Sequence, residues 1–293
     1  MLGHRTAVDQ ARERVGVAQA QAHDAAREAS PWIERLSRLG YAAKGTVYVL
    51  VGVLAAQAAA GVGGDTTDTR GALAHVLAAP FGQLLLAVIA LGLAGYALWC
   101  FVQAALDCDD EGSDLHGLAA RVGHAGTGVV YVGLVVWAVG LLVGANDGSA
   151  AASDPTRDRT AWLMAQPFGA WLVGLAGAII LGVGLHALWQ AWRSDLSKRL
   201  HLQELSATQR LWVTRIGRAG YAAHGVTLGL IGGFVVVAAV QAQPDEARGL
   251  GGALAALAAR PEGPGLLGLV AAGLVAYGLF MFVQARYRDV TVS

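Results

Sequence analysis

The sequence predicts an all-α integral membrane protein: six transmembrane helices forming three pseudo-symmetric two-helix repeats, each with a short interfacial helix on the outer face. Three observations predict it. Only 14% of the 293 residues are charged, 55% are hydrophobic and the mean hydropathy is +0.49, whereas an average soluble domain carries about 25% charged residues. Six stretches lack Asp, Glu, Lys and Arg over at least the ~20 residues that span a bilayer core: 45–64, 76–106, 122–146, 160–192, 219–244 and 263–285. Finally, one sequence pattern returns three times.

The runs are continuous and rich in Ala, Leu and Gly, unlike the short alternating strands of a membrane barrel. They place helices near 42–62, 81–105, 122–144, 168–191, 219–241 and 265–285. The second and fourth runs exceed one span, so each begins with an interfacial segment. Residues 1–30 mix acids and bases and contain no apolar core of a signal peptide. They read as a polar cytoplasmic extension, weakly amphipathic or disordered. Repeat units then occupy 31–107, 108–195 and 196–293, the last with a short cytoplasmic tail.

Orientation follows from the basic residues outside the spans. Sixteen Lys and Arg fall on the side of the N-terminal segment, Arg121, the 193–218 connection and the tail; Arg70, Arg157, Arg159, Arg248 and Arg260 fall on the other. Both termini are therefore expected in the cytoplasm of a cell whose inner membrane holds the chain. The acidic turn Asp107, Asp109, Asp110, Glu111 and Asp114 does not reverse this, because acids weigh little in the rule.

The repeat is read directly from the residues. Arg38-Leu-Gly40-Tyr41-Ala-Ala-Lys44-Gly45 returns as Arg121-Val-Gly123-His124-Ala-Gly-Thr127-Gly128 and as Arg218-Ala-Gly220-Tyr221-Ala-Ala-His224-Gly225. Each opens an odd span. Even spans end on Gly95-Tyr96-Ala-Leu-Trp99, Leu185-His186-Ala-Leu-Trp189 and Ala276-Tyr277-Gly-Leu-Phe280. Between them, 71–80, 158–167 and 252–261 look like short helices whose following proline starts the next span, where proline is tolerated.

Gly-Tyr-Ala-Ala-(Lys/His)-Gly at a span start, Ala-Gln-Pro167-Phe-Gly169 before an even span and Gly-Tyr-Ala-Leu-Trp99 at its end resemble the bacterial domain-of-unknown-function 1206 family. That resemblance covers about Trp32 to Asp289 and implies three tandem two-helix units in a bacterial inner membrane. It carries no activity and no catalytic residues. The third copy departs from the pattern, with Arg-Pro261-Glu-Gly for Gln-Pro-Phe-Gly and Phe280 for Trp.

Superposing the repeats on this topology gathers Tyr41, Lys44, Tyr96, His124, His186, Tyr221, His224 and Tyr277, with Gln103 and Gln284, into one layer near the cytoplasmic boundary. Two readings follow. One is a polar site for a headgroup, ion or small solute, since ionisable groups in a span face a protein interior or a functional path. The other is an interfacial aromatic belt with Lys44 snorkelling. His124, His186 and His224 also raise metal or haem ligation, but no two share a helix at i, i+4 and no carboxylate shares their spans.

Gly225, Gly229 and Gly233, and likewise Gly140 and Gly144, form small-xxx-small steps that let helix backbones approach in lipid. They predict bundle packing or a homo-oligomer face. Acid–arginine groups at Asp65, Asp68 and Arg70, at Asp154, Arg157, Asp158 and Arg159, and at Asp245, Glu246 and Arg248 suit helix starts; a ring that screens cations or docks a partner is the other reading. Cys100 and Cys108 exclude a disulfide framework or four-cysteine zinc site and are expected as free thiols.

The function expected is non-enzymatic: a membrane scaffold, or a protein that binds partners or membrane lipids, with no cofactor and no metal. Zero net charge excludes a nucleic-acid footprint. A small-solute or ion transporter or channel is the alternative, suggested by the repeats and the polar layer. A haem or metal redox protein ranks last, because no nucleophile–base pair or paired intramembrane carboxylates are present.

Overall fold

The continuous apolar runs fold as helices because lipid leaves backbone N–H and C=O groups no partners but one another. The computed structural model describes residues 7–106, 115–145, 155–193 and 205–288, and nine α-helices lie within them. These are α1 (Ala7–Ala60), α2 (Thr69–Ala78), α3 (Gly82–Leu106), α4 (Leu115–Leu142), α5 (Pro155–Met164), α6 (Gly169–Arg193), α7 (Ala207–Gln241), α8 (Leu250–Ala258) and α9 (Gly263–Tyr287). α1, α3, α4, α6, α7 and α9 each contain a stretch long and apolar enough to cross a membrane. α2, α5 and α8 are the three expected short helices. The acidic turn from Asp107 to Asp114, with Cys108, and Asp154 lie outside the described residues.

Two boundaries differ from the sequence reading. The first span, Glu34–Ala60, is the end of a longer helix that runs back through the extension to Ala7. α7 begins at Ala207, well before 219, because Ser206 and Gln209 form a reciprocal capping box.

The turns repeat as faithfully as the helices. α1, α4 and α7 are each closed by paired 6→1 and 5→2 backbone bonds around Gly61, Gly144 and Ala242, whose φ values are 66°, 70° and 51°. Gly144 is therefore the residue that ends α4, not a packing step with Gly140. The prolines also sit differently from expectation. Pro80 and Pro167 lie in the turn ahead of the next span, and the span starts two residues later. Between them, Phe81 and Phe168 hold left-handed backbone at φ 60° and 59° and point their rings outward. Asp68 caps α2, accepting from the backbone N–H groups of Arg70 and Gly71 at 2.9 Å each, as expected for an acid at a helix start.

The long helices pack in the order α4–α3–α1–α9–α7–α6. Small residues set most of these contacts. A Cβ on Gly45 would stand 2.7 Å from the Gly278 carbonyl oxygen, joining α1 to α9. Gly225 and Gly184 face one another across α7 and α6, and Gly232 meets Leu181 and Gly177 one step further. Gly229 and Gly233 point their own Cβ positions into open space. The row seen in sequence is thus used within the chain: Gly229 keeps its backbone in the contact, its nitrogen 2.7 Å from where a Cβ on Gly184 would be, and the row continues at Gly232. Arg121 ties α4 to α3 by donating to the carbonyl oxygens of Ala104 (2.7 Å) and Ala105 (2.9 Å).

Among the described residues, α4 and α6 form no packed interface with each other, although they are the two spans of one repeat. They stand at the two ends of the row. Burial follows this order: 56% of the apolar window of α3 is buried, against 22% of that of α6. The row is also curved. Tyr131 of α4 and His224 of α7, on helices that are not neighbours of α1 in it, both reach side chains on one face of α1.

Candidate functional site

That face of α1 carries Tyr41, Lys44 and Tyr48, spaced three and four apart and so stacked on one side of the helix. Lys44 lies ten residues past Glu34, ~15 Å along the axis at 1.5 Å per residue, and is only 7% exposed. Its ammonium donates a 2.9 Å hydrogen bond to the Tyr96 hydroxyl. It also lies over three aromatic faces, 4.6 Å from the Tyr96 ring centroid, 5.5 Å from Tyr131 and 5.6 Å from Tyr277. Among the described residues no carboxylate forms an ion pair with it.

A second ring of contacts holds this cage in place. Tyr41 meets Tyr96 edge-on at 5.2 Å, and Tyr96 meets Tyr131 at 4.7 Å. Tyr48 lies edge-on to Tyr277 at 4.9 Å and to His224 at 5.4 Å, while His224 stacks flat on Tyr277 at 4.3 Å. Tyr221 closes the far side against Tyr277 and Phe280 and accepts from Gln284 Nε2 at 3.4 Å. Arg288, just after α9, covers the Tyr41 end of the cage, 5.3 Å from the Tyr41 ring. Six of the seven tyrosines in the chain meet here.

The structure therefore brings together Tyr41, Lys44, Tyr96, Tyr221, His224 and Tyr277. His124 is half-buried on α4, two turns before Tyr131. His186 stands apart, exposed on α6 and tilted against its neighbour Trp189 at 5.7 Å. Tyr48 and Tyr131 were missed. The repeat already contained the signal, since both fall three residues after the motif glycine, Gly45 or Gly128.

Chemically, the cage is a cation held by neutral groups. A desolvated cation–π contact contributes on the order of 2 kcal/mol, and one hydroxyl satisfies one of three ammonium donors. That arrangement lowers the cost of a buried charge without neutralising it, and it suits an anionic or oxygen-rich partner. Among the described residues no three His, Cys, Asp or Glu side chains are grouped as metal ligands.

Fold and site together define a multi-pass, all-helical membrane protein with an aromatic-caged lysine inside its bundle. The chain belongs to the domain-of-unknown-function 1206 family, whose profile matches three times in tandem, at 39–107, 122–194 and 219–288. It is 36% identical over 267 residues to uncharacterized protein YxxB of Bacillus subtilis (strain 168), spanning 90% of this chain and 94% of that protein. No solved structure matches.

Proposed function

We propose that this is a non-enzymatic binding protein of a bacterial inner membrane, with both termini in the cytoplasm, that holds an anionic group at Lys44. The observation that carries the reading is the buried ammonium among three tyrosine rings, with one neutral hydroxyl as its hydrogen-bond partner among the described residues. The basic excess on the N-terminal side supports the orientation. It puts the Lys44 cage nearer the cytoplasm and α2, α5 and α8 on the outer face. The threefold repeat supports a pseudo-symmetric origin for the three units.

The test is what stays bound through purification in mild detergent, identified by mass spectrometry. The wild type should retain a species bearing phosphate or carboxylate, and Lys44→Met should lower its occupancy at least tenfold. Equal retention in the two proteins would contradict the reading. Transport of a small anion is the second reading, favoured because an ionisable side chain inside a span often marks a substrate path. Anion flux through proteoliposomes that disappears with Lys44→Met would select it over static binding.

A further inference from the structure

The opening between α4 and α6 is not purely apolar. α5 packs against α6 and against the short 3-10 turn Pro244–Glu246 that follows α7, where Arg157 pairs with Asp245 at 2.6 Å. From that anchored position Arg159 reaches across to α4. Its Nη2 lies 3.9 Å from where a Cβ on Gly133 would be. Gly133 is nine residues before Leu142, the end of α4, which places the guanidinium ~13 Å along the helix from that end. One turn further out, Arg70 of α2 covers the ring of Trp137 at 5.7 Å.

Positions 133 and 137 share a face of α4. Two guanidinium groups from different repeats thus converge on one stripe, one turn apart. Their like charges are felt: the Arg70 pKa is lowered from its usual range, first by burial and then by the Arg159 charge, with Asp68 pulling the other way. Asp68 is already occupied by the backbone of α2. Among the described residues no carboxylate forms an ion pair with Arg159. A guanidinium lying beside an apolar span is costly unless a polar or charged group meets it.

Both helices also carry exposed apolar side chains. Val129, Val132, Val136 and Val139 on α4, and Ile179 and Val183 on α6, are exposed. We infer that the α4–α6 opening is a binding site for an anionic phospholipid, its phosphate held between Arg159 and Arg70 and an acyl chain lying between the two helices. Charge complementarity selects this occupant over a second protein copy, which would bring the same two arginines against apolar helix faces. Gly133 has a role in it, because a larger side chain there would fill the place the guanidinium and the headgroup share. The site is separate from Lys44 and stands whether or not Lys44 binds an anion.

The experiment is native mass spectrometry of the full chain in detergent, titrated with phosphatidylglycerol and phosphatidylcholine of identical acyl chains. The wild type should bind phosphatidylglycerol at least tenfold more tightly. Arg70→Gln with Arg159→Gln should bring the ratio close to one, and Gly133→Leu should lower it severalfold with both arginines intact. Lys44→Met should leave unchanged the part of the preference that the double variant loses, which separates this site from the caged lysine. A wild-type ratio near one would overturn the inference. So would a double variant that keeps the preference, or an opening occupied by a second copy with no lipid bound. Should the double variant fail to fold, the wild-type ratio and Gly133→Leu decide.

Discussion

The first and second repeats carry the same motif and fold it differently. In the first, a Cβ on Gly40 would stand 2.6 Å from the Tyr96 backbone nitrogen, and in the third, a Cβ on Gly220 would stand 2.5 Å from the Tyr277 Cα. In the second, Gly123 has nothing within 4 Å and His186, the counterpart of Tyr96 and Tyr277, faces outward. Trp99 is 2% exposed and Phe280 0%, while Trp189 at the same motif position is 54% exposed. The difference teaches that a motif supplies one half of an interface; the facing residue decides whether the other half can approach. Just before the aromatic, the three repeats have Gly95, Leu185 and Ala276. Leu185 is too large for the close approach that glycine and alanine allow. α6 instead turns Gly177 and Gly184 towards α7.

Substitutions at equivalent glycines should therefore diverge. Gly40→Leu and Gly220→Leu force a side chain into backbone and should cost ~3 kcal/mol or more, beyond ordinary overpacking, seen as loss of a folded peak or a large fall in Tm in detergent. Gly123→Leu at the same motif position should change stability by less than ~0.5 kcal/mol, as at an ordinary surface site. The same contrast exists within α7. Gly225→Leu should disrupt the contact with α6, whereas Gly229→Leu, despite its central place in the glycine row, should be nearly neutral by Tm.

A smaller effect is expected at the cage. Tyr96→Phe removes the hydroxyl that accepts from Lys44 and leaves a buried donor unmet, which should cost about 1–3 kcal/mol. His186→Phe, its counterpart in the open repeat, should be silent in the same thermal unfolding measurement. The smallest of the destabilising changes is Asp68→Ala, which removes an N-cap and should cost ~1 kcal/mol.

Much of this architecture is legible in the residues. Charge-free runs define the spans because lipid tolerates little else, and the Pro-Phe-Gly turns separate α2 from α3 and α5 from α6. The order of neighbours is not legible in the same way. Periodicity tells which face of a helix is small, not which helix it meets, and a three-copy motif suggested three alike pairs. The substitution of Leu185 for a small residue was the one visible sign against it. Tyr41, Lys44, Tyr96, Tyr221, His224 and Tyr277 were found by depth alone, because matching repeat positions share a level in the membrane. His186 shares that level too but is exposed, because α6 faces α7 with Gly177 and Gly184 instead. Arg159 was read only as one member of an acid–arginine group at a helix start, and its contact with α4 was out of reach. It sits in a connecting helix, and only the fold shows that helix leaning its arginine onto Gly133.

Disulfide trapping in a Cys100→Ser, Cys108→Ser background tests the central claim, the open middle repeat, most directly. Gly174→Cys with Ala239→Cys, and Gly268→Cys with Ala59→Cys, place their Cβ atoms 3.5 and 3.8 Å apart, within the spacing a disulfide needs. Both pairs should cross-link rapidly and nearly completely under mild oxidation. Gly123→Cys with His186→Cys should stay reduced over the same time. Rapid intramolecular cross-linking of that third pair would show that α4 and α6 close against each other, and would contradict the account.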